Sequence, residues 1–429
     1  MNTVSQLLLI LLGATAITWG VAAASRYRRI VGFRRNIRER CDDFLATARS
    51  QGHLDYPPPW LGEERDTRGI VMCAGGPDLL TQAYTNLDVL RNHHGCRLPV
   101  ALFYVGREEM PEACQHFFEE SFSNLRCIDA SRITDRPGQP RAKNLRGFEL
   151  KPFSLLNAPF DELIFIDADS VPLYDPELLF ESELYREHGN LFWPEACMLS
   201  TLVPHAGAWS EWSLTDGRAR GNIQGVNPRI FDHLRLPRPS TLERAGYETE
   251  SGQILIDRRR CFDAVALTWF MSSRPHHFRL YFYGDTEAYR LAWGVTERPY
   301  CQIPHPSHQV GVVEDGIFLG RAILPRDESG APAFLHQMHR KPSPSGPCPP
   351  LTHIVEDLAV DHPRSRALRG LRMRAEVESL SHIRAAGGAV ALIDELIRKS
   401  HAEFLIGLGE AHLPGSPPKH WLNRRILPW

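Results

Sequence analysis

The feature of this chain that most constrains its fold is a short apolar run that ends in two carboxylates. Residues 163–166 are apolar and favour β-structure, which predicts a buried strand, and Asp167 and Asp169 follow it. Alternate residues of an extended chain point the same way, so both carboxylates can converge at the carboxyl edge of a sheet, where open α/β folds keep their ligands. Two such groups repel each other unless a cation or a shared proton compensates them.

A divalent cation is one such compensation, and a simpler interpretation competes with it. Mn²⁺ or Mg²⁺ prefers oxygen ligands and accepts substrate phosphates in its coordination shell. Asp167 and Asp169 could therefore hold the ion together with the diphosphate of a nucleotide donor. The alternative is a strand that ends at an ordinary polar turn, residues 169–172. An isolated Asp-x-Asp does not decide between the two.

Strand-like and helical segments alternate on the amino-terminal side of this pair. In order, they are a strand and glycine-rich turn at 69–77, a helix at 78–92, a strand at 99–105, a helix at 110–121 and a strand at 125–128. This alternation predicts an α/β fold with a mixed, mostly parallel sheet flanked by helices. Ala74 and Gly75 lie in the first turn and are candidate donor contacts, although a tight strand-to-helix turn would use the same glycine.

Composition narrows the class of protein. The 429 residues carry a net charge of −2 and 43% hydrophobic residues, and no polybasic field points to a nucleic-acid partner. The nine cysteines show no paired spacing, so neither a zinc site nor a disulfide framework is indicated.

The amino terminus predicts a membrane anchor. Residues 4–24 form an uncharged apolar stretch long enough to cross a bilayer. No Lys or Arg precedes it, which favours an uncleaved transmembrane helix over a signal peptide. A basic, partly helical stem is predicted at 25–66. Its arginines, beginning at Arg26, would place the body on the cytoplasmic side by the positive-inside rule.

Further polar side chains lie near the ends of predicted elements. Lys151 precedes a helix that feeds the central strand, so its ammonium could reach a donor phosphate or sugar. Asp285 begins a later helix and could either cap that helix or serve the site. His336 and Lys341 follow a strand-like segment, and a histidine seen alone is more often an ordinary core or surface group than a metal ligand.

Together these segments resemble the fungal Golgi α-mannosyltransferases that extend α-1,2- and α-1,3-mannose branches. The likeness covers about 68–341, and the matching stretches are 151–153, 165–169, 191–194, 250–253, 283–287 and 334–336. A looser likeness is to the glycogenin-type retaining transferases. Their His-x-x-Gly-x-Lys-Pro motif matches residues 336–342, except that His339 stands where glycine is expected.

The resemblance implies a GT-A glycosyltransferase domain at 67–341 that uses a GDP-mannose donor and Mn²⁺ or Mg²⁺. It implies transfer to a mannose-bearing glycan with retention of configuration at the anomeric carbon. The implied metal ligands are Asp167, Asp169 and His336, with Asp167 also in the donor site. Lys341 would contact the diphosphate. The implied residues of the sugar and acceptor site are Glu250, Gln253 and Asp285.

The resemblance also implies a Golgi membrane location with a luminal body, opposite to the side that the arginines favour. A transferase of the same fold that uses a UDP-hexose, or a catalytically inactive glycan-binding relative, remains an alternative.

Past the matched region the chain predicts a proline-rich linker at 342–350 and a helical carboxy-terminal extension at 351–429. The extension carries an apolar face, which we expect to pack on the protein's own core. The residues of this face are Val390, Leu392, Ile393, Leu396 and Ile397.

Overall fold

The structure is a computed structural model of the chain. It describes residues 32, 36–61, 66–133, 145, 147–194, 229–237, 249–278, 281, 285–305, 307–314, 317–338, 341–344, 350–355, 374–376 and 383–409. The predicted anchor at 4–24 and His339 lie outside these residues. Within the described ranges, no helix has both the length and the apolar character needed to cross a bilayer.

Strands and helices alternate along most of the chain. The strands are β1 (Asp66–Cys73), β2 (Val100–Tyr104), β3 (Leu125–Asp129), β4 (Phe160–Ile166), β5 (Ser170–Pro172), β6 (Asn190–Pro194), β7 (Thr249–Asp257), β8 (His308–Glu314), β9 (Ile317–Leu324), β10 (Phe334–Gln337), β11 (His353–Val355), β12 (Arg374–Glu376) and β13 (Ile383–Ala385).

The α-helices lie between and around these strands. They are α1 (Ile37–Ser50), α2 (Gly76–Asp88), α3 (Gly106–Glu109), α4 (Glu112–Ser121), α5 (Leu150–Asn157), α6 (Glu183–His188), α7 (Arg229–Leu234), α8 (Arg258–Ser272), α9 (Pro275–Phe278), α10 (Thr286–Val295) and α11 (Gly388–Gly409). Shorter π- and 3₁₀-helical turns occur at Val89–His93, Ala130–Arg132, Gly147–Glu149 and Pro176–Glu181.

The first sheet has the strand order β3-β2-β1-β4-β7-β6. Strands β1 to β4 are parallel, whereas β7 runs antiparallel to both β4 and β6. The predicted mixed, mostly parallel α/β sheet is confirmed. The order reverses at β1, because the chain builds outward to β3 and then returns to place β4 on the other side.

The central strand β4 is buried on both faces. Leu163 and Phe165 belong to one core and Ile164 and Ile166 to the other, and all four are 0% exposed. Successive side chains of a strand point to opposite faces, so a continuous apolar run suits a strand that is covered by helices on each side. The prediction of a buried strand at 163–166 is confirmed.

A second, antiparallel sheet was not predicted. Its order is β13-β11-β8-β9-β10-β5, and β12 pairs with β9. Strand β5 follows Asp169 directly, and β10 places His336 opposite Ser170. The second sheet therefore starts at the carboxylate pair and brings a distant part of the chain beside it.

The carboxy-terminal extension was expected to be helical, and the structure places strands in part of it. Residues 353–385 contribute β11, β12 and β13, and β11 pairs with β8 of the body. These strands have three residues each, which is too short to give a periodic pattern, and their partners lie far away along the chain. Among the described residues of the extension, the helical ones form α11.

Helix α11 packs on α2, where the ring centroids of Phe404 and Tyr84 lie 4.7 Å apart. Val390, Ile393 and Ile397 of the predicted apolar face are buried, whereas Leu392 is 45% exposed. The prediction that this face packs on the protein's own core is confirmed for the buried members.

Part of the predicted stem also packs on the body. One face of α1 is buried, and the rings of Phe44 in α1 and Phe270 in α8 lie 4.5 Å apart between centroids. The stem is partly helical, as expected, and β1 begins at its last residue, Asp66.

Candidate active site

The two carboxylates lie in a tight turn between β4 and β5. Asp167 N–H donates to Gly252 O of β7 at 2.7 Å, and Ser170 N–H donates to Asp167 O at 2.9 Å. Gln337 N–H of β10 donates to Asp169 O at 2.9 Å. Backbone hydrogen bonds thus hold the turn against β7 of the first sheet and β10 of the second.

The turn and β10 bring the three predicted metal ligands together. One ligand atom from each of Asp167, Asp169 and His336 can be chosen so that all lie within 4.8 Å of one another. His336 Nε2 lies 3.4 Å from Asp169 Oδ1. Two carboxylates and one imidazole fit a divalent cation, and the nitrogen donor favours Mn²⁺ over Mg²⁺, which takes oxygen ligands.

Each carboxylate also has an ammonium partner. Lys151 Nζ donates to Asp167 Oδ2 at 2.6 Å and to Ser251 Oγ at 3.1 Å. Lys341 Nζ contacts Asp169 Oδ2. The structure therefore places both lysines that the sequence predicted for donor binding at the carboxylate pair. The Lys341 side chain is 35% exposed and that of Lys151 only 12%.

The two carboxylates differ in their electrostatics. Burial raises the pKa of Asp167 to about 6, because it outweighs the nearby charge of Lys151, and the Asp169 carboxylate adds to the rise. Burial would also raise the pKa of Asp169, but the charges of His336 and Lys341 outweigh it and hold that pKa below its usual range. Asp169 is thus the more firmly ionised member of the pair.

Glu250 faces the imidazole from its other side. Its Oε1 lies 3.1 Å from His336 Nδ1, an ion-pair distance without hydrogen-bond geometry, and accepts a 2.8 Å hydrogen bond from Gly252 N–H. Burial lowers the pKa of His336, but the charges of Glu250 and Asp169 outweigh it and raise the pKa well above its usual value. Glu250 therefore lies behind the predicted ligand, although the sequence placed it in the sugar and acceptor site.

The glycine beside Glu250 has a steric reason. A Cβ at Gly252 would lie 2.6 Å from His336 Nδ1 and 2.8 Å from Glu250 Oε1. No side chain fits there without moving the imidazole. The contact accounts for a glycine at this position of the matching stretch 250–253.

Gln253 is fully buried against the same turn. Its Oε1 accepts a 3.0 Å hydrogen bond from Ser170 Oγ, and it lies opposite Ile166 in the pairing of β4 and β7. The sequence predicted a contact with sugar or acceptor, whereas the side chain contacts the residue after Asp169.

Asp285 precedes α10 and is 1% exposed. Its side chain makes no capping hydrogen bond, so the simple capping interpretation does not hold. Ser251 and Tyr289 are neighbours of the carboxylate, yet neither oxygen has a hydrogen-bond partner among the described residues. Burial raises the pKa of Asp285, and the charge of Lys151 opposes the rise.

Ala74 and Gly75 form the turn between β1 and α2, as predicted. Ala74 N–H donates to Phe103 O at 3.0 Å, and a Cβ at Gly75 would lie 3.0 Å from Glu109 Cβ. Gly76 has a φ of +73°, which favours glycine. The packing of this turn accounts for its glycines, and donor contact stays a prediction.

The pattern of matches with known proteins identifies the family. A family model described as "Mannosyltransferase putative" matches residues 67–318. The chain belongs to this mannosyltransferase family. The resemblance to fungal mannosyltransferases that the matching stretches indicated is confirmed.

Two relatives of similar sequence are alpha-1,2-mannosyltransferases. The chain is 23% identical over 267 residues to alpha-1,2-mannosyltransferase MNN21 of Candida albicans, a match that covers 55% of this chain and 38% of the relative. It is 29% identical over 274 residues to alpha-1,2-mannosyltransferase MNN2 of Saccharomyces cerevisiae, with 60% and 45% covered. The chain thus spans less than half the length of these mannosyltransferases.

Among solved structures, the fold is similar to the mannosyltransferase Ktr4p of S. cerevisiae in complex with GDP. The identity is 10% and the TM-score 0.31, over 56% of this chain and 68% of that one.

Among the residues around the carboxylate pair that sequence reasoning missed is Asn86. Asn86 of α2 is 0% exposed and donates from Nδ2 to the carbonyl oxygen of Ser170 at 2.8 Å. The available signal was a polar amide in a helix that also carries apolar residues, and that pattern is common on ordinary helices.

Proposed function

We propose that this chain is a metal-dependent retaining mannosyltransferase that moves mannose from GDP-mannose to a mannose-bearing glycan. The observation that carries the proposal is the convergence of Asp167, Asp169 and His336 within 4.8 Å in a member of a mannosyltransferase family. The GT-A assignment of residues 67–341 belongs to the same proposal.

The three proposed ligands have the chemistry that a sugar-nucleotide transferase needs. When bound, the divalent ion neutralises the charge that grows on the departing diphosphate. Asp167 and Asp169 supply the oxygen ligands, and His336 supplies a nitrogen. Glu250 lies beside His336 Nδ1, which favours a proton on that nitrogen and leaves the Nε2 lone pair for the ion.

The two lysines have different roles in this proposal. Lys341 is the more exposed of the two, so its ammonium can turn from Asp169 to a donor phosphate when a cation compensates that carboxylate. Lys151 is held by Asp167 and Ser251 and is nearly buried. Burial lowers the pKa of Lys151, but the charges of Asp167 and Asp285 outweigh that effect and raise it. Lys151 therefore stays cationic and stabilises the carboxylates of Asp167 and Asp285.

Asp285 is the proposed sugar and acceptor contact. A buried carboxylate with two oxygens that lack partners in the described part of the chain can accept hydrogen bonds from sugar hydroxyls. Glu250 and Gln253 take a different role in this proposal, since their contacts orient His336 and the turn at Ser170.

Donor hydrolysis in the presence of Mn²⁺ tests the proposal. We expect the wild-type chain to release mannose from GDP-mannose and Asp169→Asn to lose the activity. Equal rates in both, or none in either with any donor, would remove the enzyme assignment and leave a glycan-binding relative. NMR of the product's anomeric proton tests retention.

Thermal stabilisation tests the donor. A ligand that binds the native state raises its melting temperature. With Mn²⁺ present, we expect GDP to stabilise the protein more than UDP. Stabilisation by UDP alone would replace the proposal with a UDP-hexose transferase.

The membrane anchor and the Golgi location complete the proposal. They are supported by the apolar stretch at 4–24 and by the resemblance to Golgi enzymes. Protease treatment of sealed microsomes tests the side: protection of the body is expected for a luminal location, and digestion would place it in the cytoplasm.

A further inference from the structure

Helix α2 presents two buried amide side chains to the active site. Gln82 and Asn86 are 4% and 0% exposed. They lie four residues apart, so they share one face of the helix. A buried amide is costly unless it is hydrogen-bonded, so the partners of these two groups show what that face holds in place.

The partners of Asn86 belong to the turn that carries the carboxylates. Its Nδ2 lies 2.8 Å from Ser170 O, 3.3 Å from Asp167 O and 3.4 Å from Ala168 O. An amide nitrogen carries two N–H groups, so one makes the short bond and the two longer contacts share the other. Three backbone carbonyls of one turn therefore converge on a single side chain.

The partner of Gln82 lies on the other cationic segment of the site. Its Nε2 donates to Pro342 O at 3.2 Å. Pro342 follows Lys341, whose Nζ contacts Asp169. His401 Nε2 of α11 donates to Ser343 O, one residue further along, at 2.8 Å. The backbone after Lys341 is thus held by α2 and α11.

We propose that Asn86 and Gln82 are positioning residues that fix the Asp-x-Asp turn and the Lys341 segment relative to each other. The inference rests on the proposed function. Two neighbouring carboxylates repel, so the turn needs an external constraint to keep both aimed at one ion. Asn86 supplies it through backbone carbonyls and does not occupy the carboxylate oxygens. Because Gln82 is on the same rigid helix face, the ammonium of Lys341 keeps a set position beside that ion.

Paired titrations of the full chain test the proposal, with Mn²⁺ and then GDP measured by calorimetry. We expect Asn86→Leu to weaken Mn²⁺ binding about 10- to 100-fold, the usual effect of removing a group that orients metal ligands. Gln82→Met leaves the turn intact, so we expect unchanged Mn²⁺ affinity and about 3- to 10-fold weaker GDP binding at saturating Mn²⁺.

Thr85→Val is the matched control. Thr85 is 1% exposed on the same helix, and its Oγ1 donates to Thr81 O at 2.8 Å, within the helix. We expect it to change neither affinity. If Asn86→Leu does not fold, Asn86→Ser, which is too short to reach Ser170 O, is expected to weaken Mn²⁺ binding in the same direction.

The outcomes separate the two proposals. A lower melting temperature for the Asn86 variants with wild-type Mn²⁺ affinity would mean a purely structural role and would overturn the inference while the proposed function stands. Wild-type GDP affinity in Gln82→Met would overturn the claim that Gln82 positions the Lys341 segment. A wild-type chain that binds neither Mn²⁺ nor GDP would overturn the proposed function and this inference together.

Discussion

Two acidic regions of the site are compensated to very different degrees. At the carboxylate pair, Asp169 contacts Lys341 and His336, and Asp167 contacts Lys151. At the start of α10, by contrast, Asp285 has no hydrogen-bond partner on either oxygen, within the residues that the structure describes, and Glu287 has none on Oε2.

The two regions differ in what they contribute to the stability of the fold. The carboxylate pair is stable as it stands, because the ammonium and imidazole groups offset its charge until a cation does so. Buried carboxylates without hydrogen-bond partners cost folding free energy, and such groups are retained where a site needs them. These buried carboxylate oxygens of the α10 region are the ones that we propose accept hydrogen bonds from the hydroxyl groups of a bound sugar.

The largest expected effect comes from removing the charge of Asp285. We expect Asp285→Asn to lower kcat about 10²- to 10³-fold, the scale seen when one preorganised electrostatic contact is lost. Because burial raises the pKa of Asp285, its ionised form is unfavourable in the folded protein, so the same variant should melt at a higher temperature at neutral pH. Rate assays and thermal melts check both. A variant that melts at a lower temperature would mean that the nearby charge of Lys151 outweighs the cost of burying the Asp285 carboxylate.

Glu287 tests the same region through pH. Burial raises its pKa from 4.5 to about 7, so the folded state keeps a proton that the unfolded state has released. Stability should therefore fall as pH rises through this window, by up to about 3 kcal/mol. Glu287→Gln cannot ionise and should flatten that part of the curve. Urea unfolding across the window measures it, and a parallel curve for the variant would contradict the assignment.

Glu250→Gln tests the other region, the carboxylate pair whose charge is offset by neighbouring cations. The neutral amide no longer attracts a proton to His336 Nδ1, so we expect Mn²⁺ affinity to fall about 10-fold, as for other groups that orient metal ligands. Calorimetry checks this. The GDP affinity at saturating Mn²⁺ should change little. A selective loss of acceptor affinity would mean that Glu250 contacts the acceptor, as the family resemblance implies.

The smallest effect is expected for Lys341→Met. The ammonium competes with a cation for Asp169, so its removal should raise Mn²⁺ affinity about 3-fold, a modest gain because solvent screens a partly exposed charge. GDP affinity should fall, because the diphosphate loses its cation. A fall in Mn²⁺ affinity would instead mean that Lys341 stabilises the turn and does not compete with the cation for Asp169.

The contrast between local and distant determinants explains what the sequence could predict. The strand at 163–166, the turn at Asp167 and Asp169, and the helices around them follow from local apolar patterns. His336 was placed with them through the matching stretches of a known family, and the pairing of β10 with β5 accounts for the contact. No local pattern sets that pairing.

The roles of Glu250 and Gln253 could not be derived in the same way. Glu250 lies opposite Trp193 in the pairing of β6 and β7. Gln253 depends on the antiparallel pairing of β4 and β7, which sets it opposite Ile166 and turns its side chain into the protein. A register that differed by one residue would have turned it to the other face. Asn86 depends on how α2 rotates against the turn, and the helix pattern alone leaves that rotation open.

The most direct test of the metal centre is the Mn²⁺ affinity of the full chain and of two matched aspartate variants. Asp169→Asn keeps the shape of a proposed ligand and removes its charge, whereas Asp43→Asn makes the same change at a side chain that is 71% exposed. We expect the wild type and Asp43→Asn to bind Mn²⁺ equally and Asp169→Asn to lose binding. Equal affinity in all three would contradict a metal centre at Asp167, Asp169 and His336.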